Sequence, residues 1–255
     1  MDRENLEEVP LNLPENKTNK KPLKSYLSDW PKYLIEMIVI IISISASFWL
    51  ERMNEARLNK RAQLNLLRNL STDLASDAKS LENLIRLSEK VVVNSDSVMI
   101  LSKTANDFTS KKKLLDLFGA ILPKPDFVPK NSTFFGAEST LRIEDAELNF
   151  QLVDYYRLCD IIKEDQDDES ARILNIFQPY LYTTCSADAW LTYDFESFAT
   201  DGTSFKDYVK RDMFQNIVWQ RKLDRQELGA YYRQGLALTK SLRSQLDSKI
   251  KDDKK

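Results

Sequence analysis

Residues 33–50 read Tyr33-Leu-Ile-Glu-Met-Ile-Val-Ile-Ile-Ile-Ser-Ile-Ser-Ala-Ser-Phe-Trp-Leu50, and no Gly or Pro follows before Gly119. Eighteen residues at about 1.5 Å each span roughly 27 Å, close to the ~30 Å apolar core of a bilayer. Tyr26, Trp30 and Tyr33 precede the run and Phe48 and Trp49 close it, the placement of interfacial aromatic belts. Ser28 or Asp29 followed by Pro31 supplies a helix start. The stretch therefore predicts one membrane-crossing helix that continues beyond the bilayer as a stalk. The rival is a secretory signal cleaved at Ser45-Ala46-Ser47, for which a polar leader of about thirty residues is long.

Glu36 is the discordant residue inside the run. A carboxylate near a helix end can reach the headgroups, whereas deeper in the bilayer it calls for a partner helix or an ion path. Ser43 and Ser47 are four apart, a small-xxx-small spacing that lets two helices approach. Orientation is balanced: Lys17, Lys20, Lys21, Lys24 and Lys32 precede the span and Arg52, Arg57, Lys60, Arg61 and Arg68 follow it. The common layout of a single-span signal-anchor protein places the N-terminus in the cytoplasm and the main domain in the periplasm.

The chain has 255 residues, a net charge of −2, five Gly and no His. Scarce Gly favours helix over tight turns, and the near-neutral charge argues against nucleic acid as a partner. Without His there is no Ser-His-Asp or Cys-His catalysis, and the commonest zinc and haem ligand is missing. The glycines are too dispersed for a P-loop or a GxGxxG turn, and Cys159 and Cys185 alone cannot build a tetrahedral thiolate site. No catalytic, cofactor or metal residue is therefore assigned.

After the span, Leu67, Leu70, Leu74, Leu81, Leu84 and Val91 keep a three-and-four spacing, with Asp77 and Ser88 in the gaps. The seam fits a helix packed inside its own bundle or a coiled coil between two copies. Lys111–Lys113 lead into a short helix over 114–118, and Pro123, Pro125 and Pro129 forbid regular structure beyond it. A helix over 141–162 follows, then the acidic run Glu164–Glu169. That run lacks the central Gly of a calcium loop and reads as a solvated turn capping the next helix.

A helical hairpin centred at 166–167 would hold Cys159 and Cys185 about 16 Å apart and unbridged. The helix after the turn is broken or kinked at Pro179 and resumes towards Phe198; Asp201-Gly202 turns the chain into a helix over 205–220. The segment 186–219 is the most aromatic and could form core or a glycan- or peptide-binding face. A last helix over 224–250 carries Leu228, Tyr232, Leu236, Leu242 and Leu246 on one stripe and is long enough to run back along the stalk.

The expected fold class is all-α: a transmembrane helix continuing into a long stalk helix, packed with C-terminal helices as an elongated bundle. Its parts are a disordered cytoplasmic tail (1–29), the span (30–52), the stalk (53–105), a Pro-containing linker with a short helix (106–140), a helical bundle (141–250) and a frayed end (251–255).

The run 33–44, with Phe48-Trp49-Leu-Glu51 and Asn54-Glu55, resembles the anchor of an uncharacterised, Bacteroidota-type family of single-span membrane proteins. Ser132-Thr-Phe-Phe-Gly-Ala-Glu-Ser-Thr-Leu141, Ala146-Glu-Leu148 and Asp154-Tyr-Tyr156 are similar to that family's second block. Ser43 and Ser45 stand where the family tends to have Gly, and its Ser-Gly-Asn is missing. The resemblance implies an inner-membrane anchor with a helical extracytoplasmic domain, and it carries over placement and architecture only.

The expected role is a non-catalytic scaffold that binds the bilayer and another protein, or a second copy through the span and stalk. The interaction candidates are Trp30, Tyr33, Glu36, Ser43, Ser47, Trp49, Leu67, Leu70, Leu74, Leu81 and Leu84. The alternatives are an accessory subunit of an ion-driven complex using Glu36, and a periplasmic glycan or peptide binder using 186–219.

Overall fold

The computed structural model describes residues 30–138, 143 and 145–252. The expected tail over 1–29, with Tyr26, Ser28, Asp29 and Lys17–Lys24, lies outside them, as do the helix start at Leu141 and residues 253–255. The chain divides into two compact units, Met1–Leu58 and Asn59–Lys255. The all-α expectation is borne out. Among the described residues the regular structure is helical, with one isolated antiparallel bridge between Cys185 and Ala199 and no sheet.

Helix α1 runs from Trp30 to Thr104 and contains no Gly, with Pro31 in the first turn, where its missing N–H costs nothing. Asp107 then caps α2 (Phe108–Ile121) by accepting from the Ser110 N–H at 2.9 Å, a cap worth about 1 kcal/mol. Next come α3 (Ser132–Glu138), α4 (Ala146–Arg172), a π-helical turn (Ile173–Phe177), α5 (Gln178–Thr184), α6 (Ala187–Thr192), α7 (Phe205–Tyr208) and α8 (Asp212–Asp252).

Within the second unit, α8 returns antiparallel to the 66–102 part of α1. Ser71 donates to Asp247 at 2.8 Å, and Lys240 meets Glu82, Arg233 meets Glu89 and Lys222 meets Asp96 at 2.7–2.9 Å. Residues 82, 89 and 96 are seven apart, so one edge of α1 faces α8 over several turns. Gly235 sits opposite Leu81, whose Cδ1 would lie 3.4 Å from a Cβ at that position. A larger side chain there would push the helices apart.

Two apolar clusters fill the unit. Leu70, Leu74 and Leu81 of α1, Leu152 and Tyr155 of α4, and Tyr232, Leu242 and Leu246 of α8 form the first. Phe118, Phe177, Phe198, Tyr208, Phe214 and Val218 anchor the second. Each fully buried large side chain contributes about 1.5–3 kcal/mol of burial.

The proline segment is extended, and it is held by side chains instead of by secondary structure. Arg221 donates to the carbonyls of Ile121 at 2.9 Å and Pro123 at 3.1 Å, and Arg225 donates to that of Pro125 at 3.3 Å. In the amide orientation that satisfies its neighbours, Gln166 pairs with both the N–H and the carbonyl of Phe127. The carbonyls of 121, 123, 125 and 127 are two apart, the period with which an extended chain repeats one face. Proline brings a carbonyl and no N–H, so this edge needs donors, and the arginines supply them. Asp77 then accepts from the Lys130 N–H at 3.0 Å and from the Tyr155 hydroxyl at 2.9 Å.

Several expectations are corrected. The acidic run 164–169 is not a turn: α4 passes straight through it, so there is no hairpin at 166–167. The helical break falls in the π turn, just before Pro179. A proline ring crowds the carbonyl four residues back, here Asn175, and a widened turn makes room for it. The chain does not stay helical to Phe198, since Cys185 leaves α5 to bridge Ala199, and Tyr193 is left-handed at φ 56°. The helices expected over 205–220 and 224–250 are instead a single turn, α7, and one continuous α8. Lys111–Lys113 lie within α2, where Lys112 stacks 3.6 Å over the Tyr193 ring and Lys111 lies 5.8 Å from the Phe195 ring.

Candidate functional site

The sequence-derived candidates fall in two sets. Trp30, Tyr33, Glu36, Ser43, Ser47 and Trp49 belong to the first unit, where every residue of 30–50 is exposed. Among the described residues this is the one helix long and apolar enough to cross a membrane, and none of its apolar window is buried. The Ser43 and Ser47 hydroxyls donate to the carbonyls of Val39 and Ser43 at 2.8 and 2.9 Å. With their donors satisfied by the helix itself, they present small surfaces at little polar cost. Glu36, Ile40, Ser43 and Ser47 share a stripe by steps of four, three and four.

The leucines form the second set. Leu70, Leu74 and Leu81 are completely buried, Leu84 is nearly so, and Leu67 is half-buried at the edge of the same cluster. Their apolar surface is used inside this chain, against α4 and α8.

Sequence reasoning missed a buried charge centre. Glu169 and Arg221 have no solvent exposure and Arg225 has 1%. One Glu169 oxygen meets Arg221 and the other meets Arg225 at 2.7 Å. Burial pushes the Glu169 carboxyl up and the Arg221 guanidinium down, while the opposite charges resist both shifts. Each carboxyl oxygen faces an N–H donor that arginine does not give up, so the charged form fits and a protonated one does not. Beside it, buried Asp224 accepts from Arg172 at 2.9 Å and Gln220 at 2.8 Å. The signal in the sequence was weak, consisting only of Glu169, Arg221 and Arg225 on the inward stripes of helices 4 and 8.

One concavity lies next to the π turn. It is an apolar groove of about 460 Å³ walled by Ile173, Phe177, Leu181, Cys185 and Trp190, with Tyr182 and Leu191 at its lip, 77% and 78% exposed. A smaller one of about 300 Å³, lined by Ile176, Met213 and Trp219, adjoins it through the shared Phe177. Of the aromatic segment, Phe198, Phe205, Tyr208 and Phe214 are core, while Trp190 and Trp219 reach the grooves.

The groove's nucleophile is muted. The Cys185 thiol shares a hydrogen bond with the Tyr208 hydroxyl at 2.8 Å, and burial pushes it above its ordinary value. Both cysteines are free. Among the described residues no cluster of three or more His, Cys, Asp or Glu is placed to hold a metal. The arrangement is suited to accepting apolar surface. No family model, no curated protein and no solved structure matches the chain.

Proposed function

We propose that the chain is a single-span protein of a bacterial inner membrane whose helical unit is a non-catalytic scaffold for another protein. In this reading the N-terminus is cytoplasmic, the 59–255 unit is periplasmic, and the Bacteroidota-type resemblance of the anchor applies. The observation that supports it is the fully exposed apolar helix over 30–50, which a water-soluble chain would have to cover. The grooves on either side of Phe177, with Tyr182, Leu191 and Trp219 displayed around them, are the surface on which a partner would dock.

Alkaline extraction of membranes, followed by protease treatment of intact spheroplasts, tests both halves of the placement. Retention in the pellet with digestion of the 59–255 unit from outside is expected. Release into the supernatant, or a mature chain beginning after Ser47, would overturn the reading. Crosslinking from Leu191 in membranes then tests for the docked protein.

The second reading, an accessory subunit of an ion-driven complex, draws on Glu36 sharing its stripe with Ser43 and Ser47. Glu36→Gln is silent for a scaffold and abolishes function for an ion-coupled subunit.

A further inference from the structure

We infer that the face carrying the grooves on either side of Phe177 is a contact between two copies of this chain anchored in one membrane. The inference rests on the membrane-anchored scaffold reading and names a second copy as the protein docked there. A patch that pairs with itself about a two-fold axis must carry both a projection and the recess that receives it. This face carries both. Tyr182 and Leu191, the most exposed large apolar side chains among the described residues, stand at the lip of the groove of about 460 Å³. Across a two-fold axis, each copy's Leu191 enters the other's groove.

The projection is held rigidly. Ser186 caps α6 by accepting from the Ala189 N–H at 3.3 Å, the Tyr193 N–H closes the other end on the Ala189 carbonyl, and the Cys185–Ala199 bridge ties the base of the loop. Little conformational freedom is then lost on docking. The recess is uncharged, with no Asp, Glu, Lys or Arg among its described lining residues, so an apolar side chain enters without stripping water from a charge. The area is of the right order. At about 200 Å² for a fully exposed side chain of this size, Ile176, Tyr182, Leu191 and Trp219 leave roughly 500 Å² bare. That is the upper range for the largest apolar patch of a lone chain, and with the groove walls it approaches the ~800 Å² per partner of a stable complex. Two copies confined to one bilayer also meet at a raised effective concentration.

The test co-expresses two full-length copies with different affinity tags, one carrying p-benzoylphenylalanine in place of Leu191, and irradiates the membranes. An adduct bearing both tags is expected, with the crosslinked peptide mapping to residues 173–190 of the second copy. Tyr182→Asp in both copies sets an unpaired carboxylate in the contact and should cut the adduct about tenfold or more. Tyr182 is exposed in the single chain, so this variant keeps its fold, as circular dichroism would verify. No adduct between copies, an adduct mapping away from the groove, or a yield unchanged by Tyr182→Asp overturns the inference. An adduct to a foreign protein alone also overturns it and leaves the scaffold reading standing, whereas alkaline release from the membrane removes the placement on which both rest.

Discussion

Glu169 and Arg221, fifty-two positions apart, meet as a charged pair with neither side chain exposed to solvent. Arg221 uses its remaining donors on the carbonyls of Ile121 and Pro123, so one guanidinium ties α4, α8 and the proline segment together. Removing one member of such a pair leaves a buried charge unbalanced, which typically costs about 3–5 kcal/mol. Glu169→Gln should lose about that much in denaturant unfolding followed by far-ultraviolet circular dichroism. Replacing Glu169 and both arginines together by apolar residues should cost less than the sum of the single changes.

Asp77 gives a pH signature. Burial raises its carboxyl above 3.8, against the Lys130 N–H and the Tyr155 hydroxyl, which lower it. A carboxyl raised on folding binds its proton more tightly in the folded chain. Its contribution is therefore complete below the unfolded value and is lost as pH rises through the folded one. The stability of the parent relative to Asp77→Asn should fall as pH climbs from 3.8 through that window. Asp201, held down to about 2 by Thr203 and Arg211, behaves oppositely: its stabilisation is present above 3.8 and disappears on acidification. Unfolding midpoints of parent, Asp77→Asn and Asp201→Asn across the acid range would separate the two signs.

The thiols should be inert in the native chain. Burial pushes Cys159 up to about 12, so the thiolate is about one part in ten thousand at pH 8. Cys185 is raised in the same direction. Iodoacetamide should label neither appreciably in the folded protein and both in urea, read by peptide mass spectrometry. A peptide linking 159 to 185 should be missing from a non-reducing map.

The leucine stripe of α1 should grade by burial. Leu74→Ala, at a side chain with no exposure, should cost about 2–5 kcal/mol. Leu67→Ala should cost roughly half as much or less, because that side chain is only partly covered. Equilibrium unfolding of the two variants side by side gives the comparison.

The same stripe shows what could be read from the sequence. Leu70, Leu74, Leu81 and Leu84 were legible because burial on a helix face repeats every three to four residues, and so were the apolar run and the return of the last helix. Asp77 and Ser88 registered as gaps, yet both are buried, and Asp77 receives the linker. Glu169 was read into a solvated turn and Arg221 into the gap between two helices, and Asp224 and Arg225 only opened the last helix, because a charge predicts exposure unless its partner is known. Those partners lie 52 to 100 positions away, beyond the reach of any local pattern. The π turn was half legible: Pro179 announced a disturbance, but a widened turn and a sharp break look alike before Asn175 is placed.

The antiparallel seam of α1 and α8 has one further consequence. Ser71 waits for Asp247, and the carbonyls of Ile121 and Pro123 wait for Arg221. During synthesis, everything up to residue 211 leaves the ribosome before the helix that completes its core. For that interval the sides of Leu70, Leu74 and Leu81 that α8 covers stand bare, and contacts this distant form slowly. Until α8 is made, a nascent chain of this design carries unburied apolar surface along its route.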